Sequence, residues 1–280
     1  MIRKAVLPVA GLGTRLLPMT KEMPKEMLPI FLRSVNGKIC LKPMIQAIFE
    51  QLYDAGFREF CFIVGRGKRV IEDHFTPDYD FVKYLRSKKR VKKAEELETF
   101  YRKINDSTIV LINQPEPLGF GDAVYRAKAF TNNEPFLMHA GDDMILSSKN
   151  NHIKRIRRIF EEYSADICFF VEEVNDPRRY GVMIGEEIKP NLFRVSRIIE
   201  KPEVPPTNLA IIALYIFKPI IYEAIENVEP DERGEIQLAN AINIAIEKGC
   251  KVYALKLERR ERRIDIGTPE AYLEILMSII

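Results

Sequence analysis

The sequence predicts a mixed α/β fold on a mainly parallel central sheet, flanked by helices and extended by antiparallel strands. Three observations predict it. Short runs that are apolar on both faces alternate with helical patterns through the first half of the chain, as expected of parallel strands covered on both sides. In the second half, strand-like runs follow one another through short polar links, which suggests antiparallel additions to the same sheet. No internal repeat and no Gly-, Ser- or Pro-rich linker interrupts the chain, so residues 1–280 read as one domain.

The elements follow in order. Residues 5–10 form a buried strand, and residues 43–55 a helix with Met44, Ala47, Ile48 and Leu52 at helical spacing and Gly56 as its stop. Residues 60–64, ended by Gly65, are the next strand. Strands at 109–112 and 136–139 are separated by a helix near 122–130. Strands are expected at 166–173, 182–188, 193–200 and 209–217, then helices at 219–226 and 235–248. A late strand at 251–257 and a closing helix at 269–280 complete the pattern. Between residues 86 and 93 six of eight residues are basic, followed by Glu95, Glu96 and Glu98. With Val91, Ala94, Leu97, Tyr101 and Ile104 at steps of three or four, the 86–104 stretch reads as an amphipathic helix with a solvated charged face.

Composition narrows the function classes. Lys and Arg number 43 against 40 Asp and Glu, a formal net charge of +3, and 46% of residues are apolar. That balance excludes intrinsic disorder and argues against a general nucleic-acid binder, which needs a surplus of positive charge. The longest apolar run, residues 209–217, is half of what a membrane span requires. Cys40, Cys61, Cys168 and Cys250 are widely spaced, three of them inside apolar runs, and read as small buried hydrophobes of a cytoplasmic, reduced protein. His74, His139 and His152 are too scattered for a zinc site.

The strongest local signal follows the first strand: Gly11-Leu12-Gly13-Thr14-Arg15, then Pro24-Lys25-Glu26-Met27-Leu28-Pro29. Glycines after a buried strand let backbone N–H groups approach a phosphate, and Arg15 and Lys25 add two cations suited to a triphosphate. The dinucleotide fingerprint fails at Leu16, where a third glycine belongs, which argues against a nicotinamide dehydrogenase; the P-loop pattern is also absent. Asp142 and Asp143 stand just past a strand end, where carboxylates suit a hard cation such as Mg²⁺ but equally suit a turn. Gln114 ends another strand and offers both a donor and an acceptor, which matches the imide edge of uracil or thymine.

A strand ending in A-G-x-G-T-R followed by P-K-E-M-L-P resembles the sugar-phosphate nucleotidyltransferases, most closely their bacterial-type uridylyltransferase branch. The likeness continues through Gly65 to Arg69 and Ile71 to Phe75, Gln114 to Val124, Gly141-Asp142-Asp143, Tyr180-Gly181-Val182 and Glu200-Lys201-Pro202. It ends with Gly234 to Leu238 and Asp265-Ile266-Gly267-Thr268, in an order and spacing that exclude chance. The resemblance implies a Rossmann-like domain that uses Mg²⁺ to transfer UMP from UTP to glucose 1-phosphate, releasing pyrophosphate. It implies Arg15, Lys25, Asp142 and Asp265 as catalytic residues, with Asp142 and Asp265 on the metal and Asp143 set aside. Ala10, Gly11, Leu12, Gly13, Thr14 and Arg15 would hold the triphosphate, and Gln114 and Gly119 the base. Gly181 and Glu200 would admit the sugar and Lys201 its phosphate, with Lys25 and Lys201 on either side of the transferring centre. A homodimer or homotetramer, with no nucleic-acid or membrane partner, is also implied. Transfer from dTTP or to another sugar 1-phosphate, and a non-catalytic nucleotide-sugar sensor, stand as alternatives. Two positions depart from the pattern: Asp122 stands where close relatives often carry histidine, and Ala213 where a glycine is usual.

Overall fold

The computed structural model describes residues 2–33 and 39–277. The first strand, β1 (Lys4–Pro8), is fully buried. Its side chains alternate: Ala5 and Leu7 pack into one hydrophobic cluster and Val6 into a second, on the other face. After the signature loop, a hairpin of β2 (Pro29–Arg33) and β3 (Ile39–Pro43) leads into α1 (Met44–Asp54). Helix α1 buries Ile45, Ile48, Phe49 and Leu52 on one face and stops at Gly56, whose φ of +95° favours a residue without a side chain.

Strand β4 (Glu59–Val64) pairs in parallel with β1, and β5 (Thr108–Asn113) pairs in parallel with β4. Between them lie α2 (Arg69–His74), α3 (Tyr79–Ser87) and α4 (Val91–Asn105). The single helix expected over 86–104 is therefore corrected to two. Lys89 takes a left-handed φ of 57°, and the helices fold back so that Arg86 bonds Glu98 at 2.7 Å. A continuous helix would stack the basic residues of 86–93 at i,i+4, where like charges repel. The hairpin instead buries Val82 and Leu85 of α3 with Ala94, Phe100, Tyr101 and Ile104 of α4.

The chain then forms α5 (Gly119–Arg126) and α6 (Lys128–Thr131) and crosses to the other side of β1 as β6 (Phe136–His139). The helix expected near 122–130 thus begins three residues earlier and is broken at Ala127. A short β7 (Asp143–Leu146) and α7 (Asn151–Glu162) precede β8 (Ile167–Glu173), β9 (Gly181–Lys189), β10 (Leu192–Glu200) and β11 (Leu209–Phe217). Helices α8 (Ile220–Glu226) and α9 (Leu238–Glu247), β12 (Val252–Lys256), β13 (Arg262–Asp265) and α10 (Pro269–Met277) finish the described chain. The expected end of the closing helix, 278–280, lies outside the described residues.

The main sheet runs β5-β4-β1-β6-β11-β8-β12-β10-β9. Strand β11 is antiparallel to β6 and β8, and β9 and β10 are antiparallel to each other, as expected of the second half; β12 nevertheless runs parallel to β8. Strand β9 also meets β11 at Val182 and Ala210, so the far half of the sheet curls round on itself. Cys61 and Cys168 are buried, whereas Cys40 and Cys250 are only half-buried at element ends; all four are free thiols. Among the described residues no helix is long and apolar enough to cross a membrane.

Candidate active site

Strand order reverses at β1: the chain moves outward from it to β4 and β5, then returns to β6 on its other side. In open α/β sheets ligands bind at such a reversal, outside the carboxyl ends of the strands. The loops following β1, β4, β5 and β6 all leave from that edge, and they carry Ala10 to Arg15, Gly65 to Lys68, Gln114 and Asp142. Backbone bonds bind the edge together: Val9 N–H donates to Ile63, Gln114 N–H to Val64 and Gly141 N–H to Pro8.

In the loop after β1, Gly13 has a left-handed φ of 66° and caps a short 3₁₀ turn over Thr14–Leu16. Its carbonyl accepts a 2.8 Å bond from the Thr20 hydroxyl, which pins the loop without using its N–H groups. Leu12, Thr14 and Arg15 are exposed on this loop. The Lys25 side chain lies alongside Gly11, and its ammonium donates to the Asp142 carboxylate. Burial pulls the Lys25 pKa down, but Asp142 and Glu26 outweigh burial and the opposing charge of Arg15, so it ends above the ordinary lysine range. Lys25 is therefore a fixed cation.

Below it, Glu26 and Lys68 form a buried ion pair at 2.9 Å that ties the loop after β1 to the loop after β4. Burial raises the Glu26 carboxyl above its usual range despite Lys68 and Lys25 beside it.

The distant carboxylates meet through β7 and β13. These strands pair antiparallel with Asp143 opposite Asp265, and Ile266 N–H donates to the Asp142 carbonyl at 2.9 Å. Burial first, and then the Asp143 carboxylate, raise the Asp265 pKa to about 6; Asp142 adds to the rise and Arg263 opposes it. Asp143 is committed elsewhere. Arg263 holds it with two bonds, and it also accepts the Ala213 N–H at 3.1 Å, at an irregularity in β11.

Gly181 lies opposite Glu200 in the β9–β10 ladder, and Lys201 N–H donates to the Tyr180 carbonyl. The Tyr180 ring sits under the Arg263 guanidinium, 4.9 Å from its centre, which joins this edge to the carboxylates. The Lys201 ammonium pairs with Glu200 at 2.9 Å and is more than half exposed. On the opposite side, the buried Gln114 amide donates to Gly119 O at 3.1 Å and to Asp122 Oδ2 at 2.8 Å. Gly119 has a φ of +93°, and a Cβ there would lie 2.8 Å from the Ile236 carbonyl.

A model of the nucleotidyl transferase family matches residues 4–280. The chain belongs to that family. A UTP–glucose-1-phosphate uridylyltransferase of Pseudomonas aeruginosa is 37% identical over 279 residues, 98% of this chain and 94% of the relative. One from Staphylococcus saprophyticus is 38% identical over 270 residues, 95% and 88% of the two chains. Among solved structures, a UDP-glucose pyrophosphorylase complexed with UDP-glucose superposes with a TM-score of 0.85 at 31% identity, covering 100% of this chain and 98% of the other.

Nucleotidyltransferases of this kind are generally divalent-metal dependent. Among the described residues no group of three His, Cys, Asp or Glu side chains is arranged to hold a metal ion. Asp142 and Asp265 nevertheless fit Mg²⁺, which is typically bound by one or two carboxylates together with substrate phosphates and water. Burial and the neighbouring Asp143 raise the Asp265 pKa, so a cation bound between the carboxylates would favour its charged form. Sequence reasoning missed Arg263 and the Glu26–Lys68 pair. Arg263 had one available signal: it stands two residues before Asp265, and the two-residue period of a strand puts both on one face.

Proposed function

We propose that this nucleotidyltransferase transfers UMP from UTP to α-D-glucose 1-phosphate, giving UDP-glucose and pyrophosphate. The convergence of Lys25, Asp142 and Asp265 beside the glycine loop carries the reading. The substrate pair is supported by the names of relatives 37% and 38% identical over nearly the whole chain.

A phosphate oxygen of the sugar phosphate attacks the α-phosphorus of UTP in line. The new P–O bond forms as the bond to the β-phosphate oxygen breaks, and pyrophosphate leaves with that electron pair. Positioning and charge neutralisation suffice for such chemistry. The backbone of Ala10 to Thr14, with Arg15, holds the triphosphate. Lys25 exchanges Asp142 for the α-phosphate oxygens and stabilises the charge gathering there. Gln114 and Gly119 face the base, Gly181 and Glu200 the sugar, and Lys201 the sugar phosphate. Asp142 and Asp265 would hold Mg²⁺, which would supply Lewis-acid neutralisation of the phosphate charge.

Residues 1–280 act as one catalytic domain. The four free thiols support a reducing, cytoplasmic setting, and light scattering will distinguish a homodimer from a homotetramer. The deciding assay mixes purified protein, UTP, glucose 1-phosphate and Mg²⁺ and measures pyrophosphate. Release that EDTA abolishes, with UTP preferred over dTTP in parallel reactions, is the expected result; preference for dTTP would move the reading to thymidylyl transfer.

A further inference from the structure

The Gln114 amide has no freedom of orientation. A primary amide nitrogen carries two hydrogens, and here one goes to Asp122 Oδ2 at 2.8 Å and the other to Gly119 O at 3.1 Å. Both partners are acceptors: one is a backbone carbonyl, and the other a carboxylate that Arg126 pairs from the next turn at 3.1 Å. Flipping the amide would turn its oxygen towards two oxygens. Gln114 and Asp122 are each only 5% exposed, so water cannot replace the lost bonds. The nitrogen is spent on the protein, and the carbonyl oxygen Oε1 is the one atom of the amide left to recognise a ligand.

Resting on the reading that Gln114 faces the base, we infer that Asp122 sets the choice of pyrimidine. It is a positioning residue that makes Gln114 present an acceptor and not a donor. Uracil offers an N3–H donor to that oxygen, whereas cytosine offers the lone pair of an unprotonated N3. Thymine has the same imide edge as uracil, so this device rejects CTP and leaves UTP and dTTP undivided. The distinction between those two belongs to the space around carbon 5 of the ring.

The test measures kcat/KM for UTP and for CTP with glucose 1-phosphate and Mg²⁺, in the full chain and in Asp122→Asn. Asparagine has the same shape but can donate to Gln114 as well as accept from it, so the stronger of the two acceptors that fix the amide is lost and only Gly119 O still opposes its turning. The UTP:CTP ratio is expected to fall at least about tenfold, the scale of one hydrogen bond to a charged group, with KM for glucose 1-phosphate unmoved. Both nucleotides are read on one preparation, so any unfolded fraction cancels from the ratio. Calorimetric binding of UTP and CTP gives the same ratio if turnover of the variant is too slow to measure. A ratio unchanged within about twofold, with UTP still used, overturns the role of Asp122 and leaves the proposed reaction standing. Failure of the unaltered protein to use or bind either nucleotide overturns both.

Discussion

Arg263 holds the Asp143 carboxylate through two parallel bonds, Nε to Oδ1 at 2.8 Å and Nη2 to Oδ2 at 2.7 Å. Its remaining nitrogen reaches Glu172 at 2.8 Å, so one guanidinium joins β13, β7 and β8. The pair is nearly buried; without Asp143 the guanidinium keeps Glu172 at 2.8 Å and Asp265 at 3.7 Å, so the loss is that of the charge-assisted bonds, about 1.5–3 kcal/mol. Asp143→Ala is expected to lower stability by that order in urea unfolding. An unchanged midpoint would mean that the clamp does not hold β7 and β13 together.

Lys25 offers a kinetic prediction. Its charge is most useful where negative charge gathers in the transition state, so Lys25→Ala should lower kcat about 100-fold or more. KM for UTP should move far less. Steady-state pyrophosphate release gives both constants, and a variant that changed KM alone would make Lys25 a binding residue.

Asp265 governs the dependence on pH. Without metal, its folded pKa of about 6 lies above its ordinary value of 3.8. Between those pH values the unfolded chain has lost the proton and the folded chain still keeps it. Stability from this group is therefore complete below pH 3.8 and falls as pH rises towards 6. Asp265→Asn removes the burden and should stabilise the metal-free protein at pH 7 by about 3 kcal/mol while abolishing turnover. In the unaltered enzyme, the Mg²⁺ concentration giving half-maximal rate should rise as pH drops below about 6. A metal requirement that stays flat from pH 5 to 7.5 would count against Asp265 as a ligand.

Gly119 and Gly249 separate backbone strain from collision. Both have positive φ, +93° and +87°, but a Cβ at 249 meets nothing within 4 Å. At 119 it would lie 2.8 Å and 2.9 Å from the backbone O and N of Ile236. Gly249→Ala should cost about 1 kcal/mol. Gly119→Ala should cost at least about 2 kcal/mol more and raise KM for UTP, because the 235–236 segment must move. Thermal unfolding together with UTP kinetics will show whether the two differ.

Elements whose instructions are local were legible in the sequence. Strand β1 reads from a run of apolar residues, α1 from its apolar spacing and Gly56, and β11 from its nine-residue run, bounds and all. The β7–β13 ladder was not legible, since four-residue strands more than a hundred residues apart carry no period long enough to detect. The α3–α4 hairpin was missed for another reason: its break at Lys89 has neither Gly nor Pro, and follows from packing and charge crowding.

By itself the sequence determined the α/β class, the glycine loop after β1, and the residue types that a phosphate-and-metal site needs. Those are properties of short segments, written in apolar period and turn chemistry. Only the tertiary structure decided how the charges are shared. It spends Asp143 on Arg263, pairs Lys25 with Asp142, leaves Lys201 exposed beside Glu200, and fixes the Gln114 amide against Asp122. The reason is physical: a side chain's partner and its burial depend on which distant strands the sheet brings to one edge, and no local pattern contains that information.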